Sequence, residues 1–204
     1  MARNLGAKHT LCRRTGEKLC GLDKCPVSRR PFAKGVHGPT AKRVRLTGYG
    51  IQLLEKQKAK MIYGLLERQF RNYVSAAMSS KGNSSETLLR SLESRLDNVV
   101  YRLGFARTRW QSRQMVAHGH FTVNGRKVTI PSIQVRPGDV VGVRSQSAKS
   151  KLFSEVKEKL LAQELPPWLT MDAETMTAKV IDKPSAVDAK PLFDTKAIVE
   201  FYSR

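Results

Sequence analysis

Apolar residues follow a helical period through the first half of the chain and an alternating one beyond residue 120. From Tyr49 onward, Ile51, Leu54, Met61, Ile62 and Leu65 recur at roughly helical spacing with Lys56, Lys58 and Lys60 between them. That spacing predicts an amphipathic helix. Leu66, Phe70, Tyr73, Val74 and Ala77 form a second stripe that leaves Arg68, Arg71 and Asn72 outside it. The segment SSKGNSS breaks the pattern. From Glu86, Leu88, Leu89, Leu92, Leu96, Val99, Val100 and Leu103 hold helical register as far as Gly104, a residue suited to cap a helix C-terminus. One continuous helix is expected there. Thr108 and Gln111 stand at capping-box spacing and Gly119 supplies a stop, so Arg109 to His118 reads as a short helix with Arg109 and Arg113 on one face.

Alternation then takes over. In FTVNGRKVTI an Asn-Gly pair joins two alternating runs, the strongest short hairpin signal. It places Phe121, Val123, Val128 and Ile130 on one face, with Asn124 in the turn and Arg126 and Lys127 just after it. SIQVRPGDVVGV reads as a second strand pair around a Pro-Gly turn. Residues 150–164 return to a helical stripe through Leu152, Phe153, Val156, Leu160 and Leu161, stopped by Pro166 and Pro167. WLTMDAETMTAKVI suits two further strands, and the closing AIVEFYSR is too apolar for a free tail.

Charge changes this picture from a fold to a function class. The 204 residues carry 37 Lys and Arg against 17 Asp and Glu, a net charge of +20. Such a surface repels itself until a polyanion neutralises it, so nucleic acid is the expected partner. Hydrophobic residues make up 40% of the chain, too many for a disordered basic tail. The excess is uneven, since residues 1–151 have a net of +22 and residues 152–204 a net of −2. The main RNA face therefore belongs to the first three-quarters. No apolar run approaches the ~20 residues needed to span a bilayer, and MARNLGAKHT lacks the apolar core of a secretory signal, so the chain is expected to stay where it is made.

Two groups of residues invite chemistry. His9, Cys12, Cys20 and Cys25 supply four ligands of the kinds a closed tetrahedral zinc site uses; three reduced thiols beside an unrelated histidine are the alternative reading. The first 45 residues hold 12 basic and 2 acidic side chains and little apolar periodicity, so a bound metal would explain how they hold a shape. His118 and His120 flank Gly119 without a carboxylate nearby in sequence, which favours RNA contacts or helix caps over catalysis. Arg102, Arg107, Arg109, Arg113, Arg126 and Lys127 cluster near the two turns of residues 94–145. Fixed cations on a helix end and a hairpin tip suit A-form RNA, which proteins read largely by shape. On this reading Arg109 and Arg113 face RNA, and reversing them leaves the fold intact.

The run ESRLDNVVYRLGFARTRWQSRQMVAHGHFTVNGRKVTIPSIQVRPGDVV resembles, nearly position for position, the RNA-binding domain named after bacterial small-subunit ribosomal protein four. Similarity continues through EKQKAKMIYGLLERQFRNY, WLTMD and IVEFYSR, so the chain is identified as a member of that universal ribosomal family. The resemblance implies an α+β fold: a basic, irregular N-terminal arm over residues 1–45, a helical lobe over 46–92 completed by 190–204, and an inserted α/β RNA-binding domain of short helices and antiparallel β-hairpins over 93–185, with its core module at 94–145. It implies a structural, non-enzymatic constituent of the small ribosomal subunit, in the ribosome of the cytoplasm or of an organelle. Such a protein is a primary binder that nucleates assembly at a multihelix junction of the 5′ domain of the ribosomal RNA. Its neighbours would be other small-subunit proteins, protein five above all. His37 in GVHG matches a glycine-rich turn common in the family and would lie against RNA. Lys42, Arg43 and Arg45 would face the path by which messenger RNA enters, where the protein would influence decoding accuracy. Lys56, Lys58, Lys60, Arg68 and Arg71 on the helical lobe, with His118 and His120 and the cations already named, complete the expected RNA contacts.

Some members carry a four-cysteine zinc knuckle, and His9 falls at its first ligand position, implying one zinc ion, with an iron-sulfur cluster as the alternative. Trp110 and Ser112 depart from the family pattern, which usually has a cation or small polar residue and an alanine there. Trp110 would stack on a base or sugar, or else pack partly buried. An enzyme using the same module as an appendage would need a catalytic constellation in the remaining residues, and they hold no phosphate-cradling glycine loop or activated nucleophile. A zinc-finger transcription regulator would need a base-reading helix, whereas the basic elements here suit RNA shape.

Overall fold

The computed structural model describes residues 6–7, 9–40, 46–150, 152–153, 165–172, 174–189 and 191–204. Most of the helix expected over 150–164, together with Lys42, Arg43 and Arg45, lies outside them. In chain order the helices are α1 (Thr10–Thr15), α2 (Gly48–Tyr63), α3 (Glu67–Ser79), α4 (Ser84–Glu93), α5 (Leu96–Arg102), α6 (Arg109–Ala117), α7 (Ser145–Ala148), α8 (Ala186–Ala189) and α9 (Thr195–Tyr202). The strands are β1 (Phe121–Val123), β2 (Arg126–Val128), β3 (Val140–Val143), β4 (Leu169–Asp172) and β5 (Thr177–Val180). The fold is α+β. The residues gather into two compact units, Met1–Leu88 with Pro191–Arg204, and Leu89–Lys190.

In the first unit the Thr47 hydroxyl accepts from the Gly50 amide at 3.2 Å and caps α2, which ends at Gly64 in left-handed backbone (φ 63°). Phe70, Val74 and Ala77 form the buried stripe of α3. Ala197 and Ile198 of α9 are buried, while Phe201 stacks on Tyr49 and Tyr202 on Phe70. Glu67 ties these helices together. It accepts from Lys60 at 2.6 Å, from the Tyr202 hydroxyl at 2.6 Å and from Lys56 at 3.1 Å.

Burial alone would raise the Glu67 pKa, but the hydrogen bonds from Lys60, Tyr202 and Lys56 outweigh it and hold the carboxyl at about 2, below its ordinary 4.5. A depressed carboxylate pKa contributes stability that is present above 4.5 and lost as pH falls through about 2. Protection of the α9 amides from hydrogen exchange should therefore fall across that window. A Glu67→Gln chain should lack this step, and equal behaviour of the two chains would refute the coupling.

The second unit packs a five-stranded antiparallel sheet, in the order β2-β1-β3-β5-β4, with α5 and α6 around one apolar core. Leu96, Val99, Val100 and Leu103 of the α5 segment meet Met115 and Val116 of α6 and Phe121, Val141, Leu169, Ala178 and Val180 of the strands. Phe105, Phe121 and Phe153 pack edge to face. The Asn-Gly hairpin forms as expected, with Asn124 (φ 51°) and Gly125 (φ 78°) both left-handed between β1 and β2. WLTMDAETMTAKVI forms the β4–β5 hairpin.

Two expectations fail for one reason, namely bonding that sequence distance hides, and a third fails because β2 ends early. The helix over 86–103 is two helices, because Arg95 takes extended backbone (φ −68°, ψ 137°) and bridges Gln134. SIQVRPGDVVGV yields only β3. The backbone of its first half is occupied by the start of α5, where the Leu96 amide donates to Ile133 O at 2.8 Å, the Asp97 amide to Pro131 O at 3.2 Å and the Val135 amide to Ser94 O at 2.9 Å. β3 pairs instead with β1 and β5. Ile130, beyond the end of β2, is exposed.

Thr108 caps α6 by accepting from the Gln111 amide at 3.2 Å, and the Gln111 side chain accepts from the Arg107 amide at 3.0 Å. The reciprocal bond thus falls one residue earlier than in a capping box. Thr108→Ala should lower the unfolding free energy by about 1 kcal/mol in urea titration, and no change would show the cap to be idle.

Candidate nucleic-acid interface

The basic side chains of the second unit divide into two sets. Two buried carboxylates, Glu93 at the end of α4 and Asp97 at the start of α5, organise the first. Glu93, 1% exposed, receives both arms of Arg102 (2.9 and 3.0 Å) and the Asn98 amide at 2.8 Å. The same Asn98 amide reaches the Glu93 carbonyl, and Arg102 also bonds the Ala189 carbonyl. Asp97 receives the fully buried Arg95 at 3.0 and 2.6 Å and Arg113 at 3.0 Å. Arg109 donates to Asn98 at 2.6 Å, lies 4.0 Å from Glu93 and stacks over the Tyr101 ring at 4.4 Å. Two acids thus hold four arginines, leaving local positive charge in fixed geometry.

Arg109 and Arg113 do share a face, but it is turned toward this network. Their side chains are only 19% and 13% exposed. The expectation that both can be reversed with the fold intact is therefore corrected: a carboxylate at 113 would stand against Asp97, and one at 109 beside Glu93. Ser112, buried, donates from its hydroxyl to Asp97 O at 2.6 Å with Arg109 O at 2.8 Å, so the hydroxyl tethers α6 to α5 as an alanine would not. Trp110 is half-buried. Sequence reasoning missed Glu93, Arg95, Asp97 and Asn98 as a structural network. The available signal was charge placed within an apolar stripe.

The second set is exposed. Arg107 precedes the α6 cap, His118 ends α6, and Arg126 and Lys127 lie on β2 at the hairpin. Gly119 (φ 75°) turns the chain at this corner where Lys127 crosses it, and a Cβ there would collide with the Lys127 stem. The Asn124 side chain donates to Asp139 at 2.8 Å and accepts from the Val140 amide at 2.8 Å, which locks the hairpin tip to β3. His120 is half-buried, 3.0 Å from the Ser147 hydroxyl and edge-on to Phe153. Burial, then the neighbouring charge of His118, pushes its pKa down, favouring the neutral ring.

In the first unit, Arg68 and Arg71 are exposed on α3. The α2 lysines are engaged internally. Lys56 and Lys60 pair with Glu67, and Lys56 also sits 4.4 Å over the Phe201 ring. Lys58 is buried between Glu55 at 2.9 Å and Glu17 at 3.0 Å. Burial would lower its pKa, but its bonds to those acids prevail and raise it.

His9, Cys12, Cys20 and Cys25 converge, with one ligand atom from each within 4.8 Å of every other. α1 carries Cys12 and ends at Gly16 (φ 75°), which turns the chain back toward Cys20. All three thiols are buried, and the Cys25 sulfur is 3.7 Å from His9 Nδ1. Burial pushes the Cys12 thiol up to about 11, with the neighbouring Cys20 adding to the shift, and burial also raises Cys20. A tetrahedral zinc with Zn–S bonds near 2.3 Å keeps its ligand atoms about 3.8 Å apart. The three sulfurs and one imidazole fit such an ion, which would supply the positive charge that buried thiolates need. The group is able to hold a metal.

Short helices on an antiparallel sheet, with arginines pinned by buried carboxylates beside a basic hairpin, define a basic α/β module suited to binding RNA. Residues 94–141 match the S4 domain, and residues 3–93 match the ribosomal protein S4/S9 N-terminal domain. Full-length similarity extends to small ribosomal subunit protein uS4A of Alkaliphilus metalliredigens, 50% identical over 210 residues, and to uS4 of Thermotoga maritima, 47% identical over 211, each covering 100% of both chains. The uS4 protein of Syntrophomonas wolfei is 49% identical over 95% of both. The chain belongs to the ribosomal protein S4 family, the uS4 proteins, which are structural RNA-binding constituents of the small ribosomal subunit and not enzymes. Among the described residues no helix is long and apolar enough to cross a membrane.

Proposed function

We propose that this chain is a primary binder of small-subunit ribosomal RNA in the cytoplasmic ribosome, gripping a multihelix junction of the 5′ domain and nucleating assembly. The observation that carries this reading is the pair of buried carboxylates that fix the partly exposed Arg102, Arg109 and Arg113, with the fully buried Arg95 bracing Asp97 from within. Guanidinium groups fixed before binding lose little freedom when they meet phosphates, so they favour an RNA whose phosphates already stand in the matching geometry.

Around them, Arg107, His118, His120, Asn124, Arg126 and Lys127 form the outer contacts of the second unit. Arg68, Arg71 and His37 serve the first, with Lys56 and Lys60, two cations sharing the single Glu67 carboxylate, adding to its field; Lys58, held between Glu17 and Glu55, is a structural lysine. Lys42, Arg43 and Arg45 are assigned on sequence alone to the path of messenger RNA, where the protein would affect decoding accuracy. Small-subunit protein five is the expected protein neighbour. His9, Cys12, Cys20 and Cys25 would hold one zinc ion, which closes the N-terminal knuckle and does no chemistry on a substrate.

Binding to a bacterial small-subunit ribosomal RNA transcript should weaken steeply with salt, each neutralised phosphate adding about 0.7 to 0.9 to the logarithmic slope. An isotherm that does not move between low and moderate salt would contradict the reading. Co-sedimentation with small subunits in a density gradient tests the assignment in cell extract.

A further inference from the structure

Asn124 and Gly125 are the sole Asn-Gly pair in the sequence, and they stand exposed at the tip of the β1–β2 hairpin. The pair has a chemistry of its own. A side chain after asparagine shields the next backbone nitrogen, whereas glycine leaves that nitrogen free to reach the asparagine Cγ. Nothing lies within 4 Å of the place a Cβ would take on Gly125, so its surroundings do not shield it either. Two adjacent residues thus carry the reactants of a deamidation, and solvent supplies the water.

The fold holds those reactants apart. The Asn124 carboxamide is occupied at both ends, since Nδ2 donates to Asp139 Oδ1 at 2.8 Å and Oδ1 accepts from the Val140 amide at 2.8 Å. Asp139 is itself fixed, because its second oxygen accepts from the Arg136 amide at 2.7 Å. The Asn124 backbone amide adds a bond to Val140 O at 2.8 Å. Asn124 Cγ meets the Gly125 nitrogen only after the side chain leaves Asp139 and Val140. The bond to Asp139 has a charged acceptor and is the stronger of the two side-chain bonds.

We propose that Asn124 is a latent deamidation site and that Asp139 is the gate that keeps it closed. When the tip opens, the Gly125 nitrogen attacks Asn124 Cγ. The N–Cγ bond forms, the Cγ–Nδ2 bond breaks, and the Gly125 amide proton departs through solvent on the leaving ammonia. Water then opens the cyclic imide at either carbonyl, giving aspartate or isoaspartate at position 124. The net change is one water in and one ammonia out. Neither product restores the tip. A carboxylate at 124 faces Asp139 where an N–H donor stood, and isoaspartate adds a backbone carbon to the turn across which Val123 and Arg126 pair. Either product also places a negative charge beside Arg126 and Lys127. The modification is a one-way record of time spent with the tip open.

The test holds the full-length chain in warm, mildly alkaline buffer and scores the peptide containing Asn124 by mass spectrometry for conversion of amide to acid. The folded wild type should react far more slowly than the same chain unfolded in guanidinium chloride. Asp139→Ala should raise the folded-state rate about tenfold, the scale on which one hydrogen bond to a charged acceptor shifts an opening equilibrium. Its thermal transition shows whether the sheet stays folded at the assay temperature. A second measurement needs no substitution: in guanidinium chloride below the unfolding transition, wild-type deamidation should rise in step with hydrogen exchange of the Val140 amide, whose proton the Asn124 side chain holds. No conversion at position 124 in the unfolded chain, or equal rates in folded and unfolded chains, would overturn the latent site. An unchanged rate in a folded Asp139→Ala chain, or deamidation that does not follow Val140 exchange, would overturn the gate.

Discussion

Glu93→Ala should lower the unfolding free energy by about 3–5 kcal/mol, the usual cost of removing one partner from a buried ion pair. The carboxylate is all but fully buried and satisfies Arg102, Asn98 and Arg109 together. Without it, the Arg102 guanidinium and the Asn98 amide lose their carboxylate acceptor, Arg109 loses a carboxylate 4.0 Å away, and the arginine cluster loses one of the two acids that neutralise it. Glu93→Gln should recover little, since the amide turns donors toward the arginines. Arg113→Glu should act in the same direction, by setting a second carboxylate against Asp97. Urea titration at neutral pH measures all three, and a loss under about 1 kcal/mol for Glu93→Ala would mean that water or RNA-facing rearrangement already serves these arginines. Affinity for RNA should fall further than the unfolded fraction explains, because the arginines lose their fixed directions.

Cys12→Ser should abolish stoichiometric metal binding and open the arm. Cys12 is wholly buried at the centre of the ligand group, and the segment around it contributes few other core residues. Apparent metal-binding free energies of roughly 10–16 kcal/mol make a structural zinc site the dominant stabilising term of a segment this small. The wild-type chain, purified without chelator, should hold one zinc. The variant should hold under about a tenth of an equivalent and become sensitive to protease between residues 9 and 40, while the second unit keeps its thermal transition. Less than about half an equivalent of zinc in the wild type would refute the site. An equivalent of iron with sulfide would identify a cluster in its place.

Much of the fold is legible locally. α2, α3 and α6 follow stripes whose residues lie within one or two turns of each other, and the Asn-Gly hairpin follows from two residues that accept left-handed backbone. The break at Arg95 is not legible in this way. The leucine and valine register runs straight through it, and only the bonds from Leu96, Asp97 and Val135 to residues some 40 positions away make the extended conformation favourable.

The same division applies to the candidate sites. His9, Cys12, Cys20 and Cys25 could be grouped from spacing, because metal ligands are few in kind and close in the chain, and the structure brings them together. The cations could be counted but not sorted. Arg102, Arg109 and Arg113 look like Arg107 and Arg126 in sequence, and only the packing of α4, α5 and α6 shows which are held by buried acids.

By itself, the sequence determined a basic α+β chain of the S4 family, the β1–β2 and β4–β5 hairpins and the helices α2, α3 and α6, because those depend on residue type and short-range periodicity. The tertiary structure alone decided where a continuous stripe breaks, which strands pair and which arginines are fixed. Those outcomes depend on hydrogen bonds and charge pairs between residues that no local pattern brings together.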